Sequence, residues 1–291
     1  MKQTYILAIS GGIDSVVLLH KLASVKPDWI TYIVAHVNHG IRSDSDNDEQ
    51  FVSLLAKDND FTFESIHLKL GKDASEELAR EKRYDFLFSV LKKYKAEAII
   101  TAHHQDDVLE TMIVNMLRGT GPRGLVGFQR KQIIRPFLNT PKATLEEYAS
   151  KHKLVWRDDS TNSDEKYLRN YVRARLMPRL NEHRAEFLSI RQQTNDICSE
   201  LDLLCKRMLV QAVEKKALVR VRFVVLPYVV QKELIVCWFR MYGVSFDKIL
   251  IEHAVLAIKT LKAGKIFQLN SKTTLIMTKN TIILNVSNHA V

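Results

Sequence analysis

Four stretches of this chain place side chains in patterns that chemistry uses. The first is Ser10-Gly11-Gly12-Ile13-Asp14-Ser15, which follows the apolar run Tyr5 to Ile9 and precedes a helical pattern. Two glycines let the backbone approach an anion closely, a helix N-terminus offers free N–H groups and a favourable dipole, and two serine hydroxyls add donors. The six residues together are expected to grip the phosphates of a nucleotide. The plain alternative is a strand–helix turn capped by Asp14 or Ser15. The stretch lacks the Gly-x-x-x-x-Gly-Lys-[Ser/Thr] of a Walker A loop, which disfavours the usual phosphoryl transfer.

The second stretch is His103-His104-Gln105-Asp106-Asp107-Val108-Leu109-Glu110-Thr111, at the end of an expected strand and the start of a helix. Asp107, Glu110 and Thr111 are spaced i, i+3, i+4 and share a helix face. Carboxylates crowded at a strand's carboxyl end need a positive partner. Mg²⁺ bridging to phosphates meets that need, held by one or two of these carboxylates. Zinc is a poorer reading, because adjacent histidines point different ways and there is no His-Glu-x-x-His. The third stretch, Leu117-Arg118-Gly119-Thr120-Gly121-Pro122-Arg123-Gly124-Leu125, predicts a polar loop able to hold phosphate or a base through amides and guanidiniums. The fourth runs from Trp156-Arg157-Asp158-Asp159-Ser160-Thr161-Asn162 to Tyr167-Leu168-Arg169-Asn170-Tyr171-Val172-Arg173. Arg169 and Arg173, four apart, can project together from a helix toward an anion.

The elements that must position these groups follow from periodicity. Short apolar runs at 5–9, 30–37, 61–68, 96–102 and 133–135 predict strands. Helical patterns at 16–23, 46–57, 75–93, 106–117 and 141–152 separate or follow them. That rhythm predicts an α/β doubly wound parallel sheet over residues 1–185. Residues 186–215 predict a long helix or hairpin serving as a linker. Residues 216–291 predict a small α+β domain, with strands at 219–225, 266–269, 274–277 and 281–285 and helices at 233–242 and 248–262.

Composition sets broader bounds. Apolar residues make up 46% and charged residues 26% of the 291 residues, ordinary for a soluble globular protein. No apolar run approaches the ~18 residues of a membrane span. The N-terminus does not resemble a signal peptide, so a cytoplasmic location is expected. Cys198, Cys205 and Cys237 form no Cys-x-x-Cys and are expected to be buried small apolar groups. The formal charge is +10, with +7 of it in residues 186–291. Such a surface attracts polyanions.

The opening loop resembles the PP-loop of the N-type ATP pyrophosphatases, which split ATP between the α and β phosphates and adenylate an oxygen. Further blocks occur in order: His36-Val37-Asn38-His39-Gly40-Ile41-Arg42, Ala79-Arg80 with Arg83-Tyr84, His103 to Thr111, Arg118 to Gly121, and Asp159 to Arg173. Together they resemble the tRNA(Ile)-lysidine synthase family over about residues 4–180. The last third resembles it only in basic charge and position.

The resemblance implies a Rossmann-like PP-loop catalytic domain and a basic tRNA-binding tail. It implies a ligase that adenylates O2 of the wobble cytidine of tRNA(Ile) with a CAU anticodon, then joins free L-lysine to C2, giving lysidine, AMP and pyrophosphate. ATP would lie on Ser10 to Ser15 with His36, and Mg²⁺ would accompany it, held by Asp14 and Asp107. His103 and Arg118 to Gly121 become candidates for contact with tRNA or its base. Asp107, or else Glu110, would receive the lysine ammonium. Arg169 and Arg173 would hold phosphate or the activated base. A homodimer is left open. The alternatives are a PP-loop tRNA thiolase, which would need sulfur-carrying cysteines or a cluster, and a small-molecule adenylating amide ligase, which would not need the basic tail.

Overall fold

The computed structural model describes residues 2–38, 40, 45–68, 76–128, 130, 132–157, 168–214, 217–271 and 273–286. His39, Ile41, Arg42, Asp158 to Asn162 and Tyr167, all named above, lie outside the described residues. The chain divides into two compact units, Met1–Gln192 and Gln193–Val291.

The first unit is a five-stranded sheet of β1 (Gln3–Ala8), β2 (Ile30–Asn38), β3 (Thr62–His67), β4 (Ala98–Thr101) and β5 (Ile133–Ile134), in the order β3-β2-β1-β4-β5. All four pairings are parallel. Successive side chains of a strand face opposite sides, and the adjacent residues Ile6 and Leu7 enter two different cores. Leu7 joins Val17, Leu18, Val34, Val52, Ile100 and Leu145 on one side. Ile6 joins Ile33, Tyr84, Leu87 and Ile99 on the other. The helices α1 (Ile13–Ser24), α2 (Ser45–Asp58) and α6 (Lys142–Lys151) supply the first core, and α3 (Glu76–Lys93) supplies the second. Burial on both faces explains why β1 reads as a continuous apolar run instead of an alternating one.

The strand order reverses between β1 and β4. In open α/β sheets the crevice beyond the carboxyl ends of the strands at this reversal is where ligands bind. The loop after β1 leads into α1, and the turn after β4 leads into α4 (Gln105–Leu117). A short helix α5 (Pro122–Val126) follows, where the sequence predicts only a polar loop. Pro122 at the first turn has no N–H to lose there and its φ suits a helix start. Then come α7 (Leu168–Tyr171), a π-helical turn (Val172–Leu176) and α8 (Met177–Leu180). These pack on α4 through Leu109, Ile113, Val114, Val172 and Met177.

Helix α9 runs unbroken over Arg184–Ala212, so the expected helix-or-hairpin is a single helix. In the second unit, β6 (Val213–Glu214), β7 (Ala217–Val219), β8 (Ile266–Asn270), β9 (Thr273–Met277) and β10 (Thr281–Val286) form a sheet in the order β6-β7-β10-β9-β8, with antiparallel pairings. Helices α10 (Arg220–Val224), α11 (Tyr228–Met241) and α12 (Lys248–Thr260) complete it. The strand expected over 219–225 is therefore corrected: only Val219 is in a strand. Tertiary packing overrides the β-branched run, because a helical turn buries Phe223 in the core with Trp238, Phe239 and Leu275. All three cysteines are buried thiols. Among the described residues no helix is long and apolar enough to cross a membrane.

Candidate active site

The loop after β1 is held by its own serines. Ser15 Oγ accepts from the Gly11 N–H at 3.1 Å and donates to the Gly12 carbonyl at 2.8 Å. The Gly12 N–H points to Ser10 Oγ at 3.4 Å. Gly11 has φ +95°, and a Cβ there would lie 3.3 Å from Val52 Cγ2, so the turn requires glycine. Ile13 and Asp14 begin α1, whose first N–H groups have no intrahelical acceptor. The Arg157 N–H donates to the Gly11 carbonyl at 3.0 Å, tying a distant segment to the loop.

His36 approaches from behind. It is buried in β2, with Nδ1 2.9 Å from the Ile9 carbonyl. Burial holds its pKa below the usual value, against the pull of that bond and of Glu49 and Asp48. A neutral imidazole bonded to Ile9 positions the strand end that launches the loop.

His104 links the two strand ends. Its Nε2 lies 3.5 Å from Asp14 Oδ2 and 3.5 Å from Asp107 Oδ2. Burial opposes its charge, but the bond to Asp14 and the carboxylates of Asp107, Asp14 and Asp106 outweigh it and raise the pKa. The motif pattern did not single out His104. Its signal was its place as the last residue before a helix whose first turn is acidic. Asp14 Oδ1 is buried and has no hydrogen-bond partner, as is His104 Nδ1.

On α4, the spacing of Asp107, Glu110 and Thr111 does present one face, and Arg169 touches all three. Its Nε donates to Glu110 Oε2 at 3.0 Å, and its Nη2 lies 3.3 Å from Asp107 Oδ1 and 3.4 Å from Thr111 Oγ1. Arg173 donates to both oxygens of Glu110, at 2.6 and 3.0 Å. The bond to Glu110 is the largest influence on Arg173 and raises its pKa against burial. Asp107 Oδ2 accepts the His104 N–H at 3.0 Å, closing the first turn of α4. Asp106 faces elsewhere, toward Arg184 and the Lys142 N–H.

His103 points away from this group. Its Nδ1 is 2.8 Å from Thr101 Oγ1. Burial, then Arg83, Arg135, Arg80 and Arg169, lower its pKa to about 2, so the ring is neutral. Arg118, Gly119, Thr120 and Gly121 lie at the other end of α4, exposed. At 1.5 Å per residue they stand roughly 16 Å along the axis from Asp107. Thr120 Oγ1 caps the Asn115 carbonyl at 3.1 Å.

Thus the structure brings together Asp14, His104, Asp107, Glu110, Arg169 and Arg173, sets His36 behind them and separates Arg118 to Gly121. As to a metal, no group of three or more His, Cys, Asp or Glu among the described residues is arranged to hold one. Both Asp107 oxygens already have protein partners, and the unpartnered Oδ1 of Asp14 fits a cation that would also be held by phosphates.

A doubly wound parallel sheet with a glycine–serine loop and a helix N-terminus at its switch point defines the class, an open α/β domain with an anion-binding loop. A PP-loop domain model matches residues 1–180. The chain belongs to that family. The tRNA(Ile)-lysidine synthase of Legionella pneumophila (strain Lens) is 40% identical over 184 residues, 61% of this chain and 42% of that protein. The Thermotoga maritima protein of the same name is 40% identical over 186 residues, 61% of this chain and 45% of that one. That of Actinobacillus pleuropneumoniae serotype 3 is 33% identical over 225 residues, 74% and 52%. The chain spans about half the length of these curated relatives. Among solved structures, the U34-tRNA thiolase NcsA from Methanococcus maripaludis superposes with a TM-score of 0.59 at 17% identity, covering 67% of this chain and 71% of that one. That likeness concerns the fold.

Proposed function

We propose that this chain is an ATP-dependent ligase that joins free L-lysine to C2 of the wobble cytidine of tRNA(Ile) with a CAU anticodon. The observation that carries the reading is the convergence of Asp14, His104 and Asp107 beside the anion-binding loop, with Arg169 and Arg173 locked onto α4. The relatives named tRNA(Ile)-lysidine synthase, similar over this same unit, support it.

In this reading the loop amides and hydroxyls from Ser10 to Ser15 cradle the ATP phosphates. Asp14 would hold Mg²⁺ through Oδ1, and the ion would neutralise charge on the phosphates. Cytidine O2 attacks the α-phosphorus, the bond to the β-phosphate breaks and pyrophosphate leaves. The amine of lysine then attacks C2, the C2–O2 bond breaks and AMP departs. The ε-amine has an unperturbed pKa of about 10.4, so it must lose a proton before attack. Asp107 is the better acceptor. Glu110 is 2% exposed and spends both oxygens on guanidiniums, so it anchors the arginines. Arg169 would steady the departing phosphate or the activated base. The target base must leave its stack to reach this crevice. The basic tail holds the tRNA backbone with salt-sensitive affinity.

The test is incubation with ATP, Mg²⁺, labelled lysine and total tRNA. Label should enter tRNA, with AMP and pyrophosphate released. Folded protein that leaves tRNA unlabelled overturns the assignment.

A further inference from the structure

Consecutive residues after β4 serve different surroundings. His104, with extended backbone, turns to Asp14. His103 turns to a second cluster, one residue away and so about 3.8 Å along the chain. Its ring meets the Phe128 ring edge-on at 5.1 Å. Arg135, just past β5, lies with its guanidinium 5.1 Å from the Phe128 ring and donates from Nη1 to the Phe128 carbonyl at 2.7 Å. Arg80 and Arg83, three apart on α3, lie 5.2 and 5.5 Å from the Tyr84 ring, and Arg130 lies 4.4 Å from it.

Four guanidiniums therefore crowd two aromatic rings at the carboxyl edge of β4 and β5. Among the described residues no carboxylate forms an ion pair with Arg80, Arg130 or Arg135. Arg135 Nε is buried without a hydrogen-bond partner. The crowding has an electrostatic signature: burial lowers the pKa of Arg135, Arg80 and Arg130 lower it further, and only Tyr84 opposes them. Three like charges gathered without a carboxylate raise the energy of the free protein, and a polyanion relieves that cost.

We infer that Arg80, Arg83, Arg130 and Arg135, arrayed on Tyr84 and Phe128, form a subsite for the phosphodiester backbone of single-stranded RNA. The loop at Ser10 to Ser15 already provides for one nucleotide's phosphates, on the other side of His104. Guanidiniums spread over two rings match successive phosphates better than one. Basic side chains interleaved with aromatic rings are the recurring surface for single strands. This rests on the proposed function and deepens it: the backbone next to the target base is clamped beside His103 while the base enters past His104.

The test uses the full chain, a short unstructured fluorescent RNA and, separately, ATP. Arg80→Gln and Arg130→Gln should each weaken RNA binding by about 5- to 10-fold. Each should also lower the slope of log K against log salt by roughly 0.7 for every phosphate no longer neutralised. ATP affinity should stay unchanged. Arg80→Lys should recover the salt slope but only part of the affinity, since ammonium lacks the guanidinium fork. Arg130 is exposed, so its variant decides the matter if Arg80→Gln does not fold. Unchanged RNA affinity and salt slope in both Gln variants overturn the subsite. So does a matching loss of ATP affinity, which would give the arginines to the nucleotide. Arginine-dependent RNA binding without lysine incorporation sinks only the lysine reading. Lysine incorporation with RNA binding indifferent to these arginines sinks only the subsite.

Discussion

Arg173 grips the carboxylate of Glu110 with two bonds, Nε to Oε1 at 2.6 Å and Nη2 to Oε2 at 3.0 Å. Glu110 sits on α4 and is buried, and Arg173 lies 63 residues later in a π-helical turn. Such turns insert one extra residue per turn and are frequent at functional sites. Arg169 shares the same carboxylate, so a single acid orients both arginines.

Removing that acid takes from Arg173 the carboxylate it grips with two bonds and leaves Arg169 with Asp107. Glu110→Ala should destabilise the protein by about 3–5 kcal/mol, the scale for breaking one side of a buried pair. Urea unfolding checks this. A loss under about 1 kcal/mol would mean that the bridge is relaxed by solvent.

Asp14 has the opposite profile. Its Oδ1 has no protein partner and only Oδ2 meets His104, so Asp14→Asn should cost clearly less stability than Glu110→Ala. ATP-dependent AMP formation should fall roughly 100-fold or more, as when one preorganised charge-stabilising group is lost. Full activity in the variant would remove Asp14 from the site.

Gly11→Ala tests the loop geometry. At φ +95° any Cβ is strained and meets Val52. About 1–3 kcal/mol of strain is expected. The loop should shift and ATP affinity, measured by calorimetry, should drop. Wild-type affinity would show that the amides of Gly11 and Gly12 do not hold the nucleotide.

Two histidines give opposite pH slopes. The pKa of His104 is raised in the fold, so its contribution is full below the unfolded value of 6.5 and is lost as pH rises through the folded value. The pKa of His103 falls to about 2, so its contribution is full above 6.5 and is lost as pH falls from there. His104→Gln should flatten the alkaline limb of the stability profile and spare the acid limb. An unchanged alkaline limb would show that the Asp14–His104–Asp107 contacts carry no net charge coupling.

Truncation after Gln192 should weaken tRNA binding far more than ATP binding, since +7 of the net charge of +10 lies beyond residue 185. Filter binding at two salt concentrations checks this. Unchanged tRNA affinity would place the grip within the first unit.

Much of this was legible along the chain because the relevant signals are local. The i, i+3, i+4 spacing of Asp107, Glu110 and Thr111 needs only helix geometry to define a face, and Arg169 does lie across it. Hydrophobic periodicity located β1 to β5 and their order of appearance. It failed at Val219 to Val225, where burial of Phe223 among distant residues decides for a helix.

The sequence by itself determined the loop chemistry, the acidic first turn of α4 and the alternating elements of an open α/β sheet, because each depends on neighbours within a few residues. Only the tertiary structure decided that His104 joins Asp14 to Asp107, that His36 braces Ile9 from behind and that Glu110 holds both arginines. It also gathered Arg80, Arg83, Arg130 and Arg135 around two rings. These arrangements depend on which strand ends the parallel sheet sets side by side and on burial. Both are set by contacts between residues far apart in the chain.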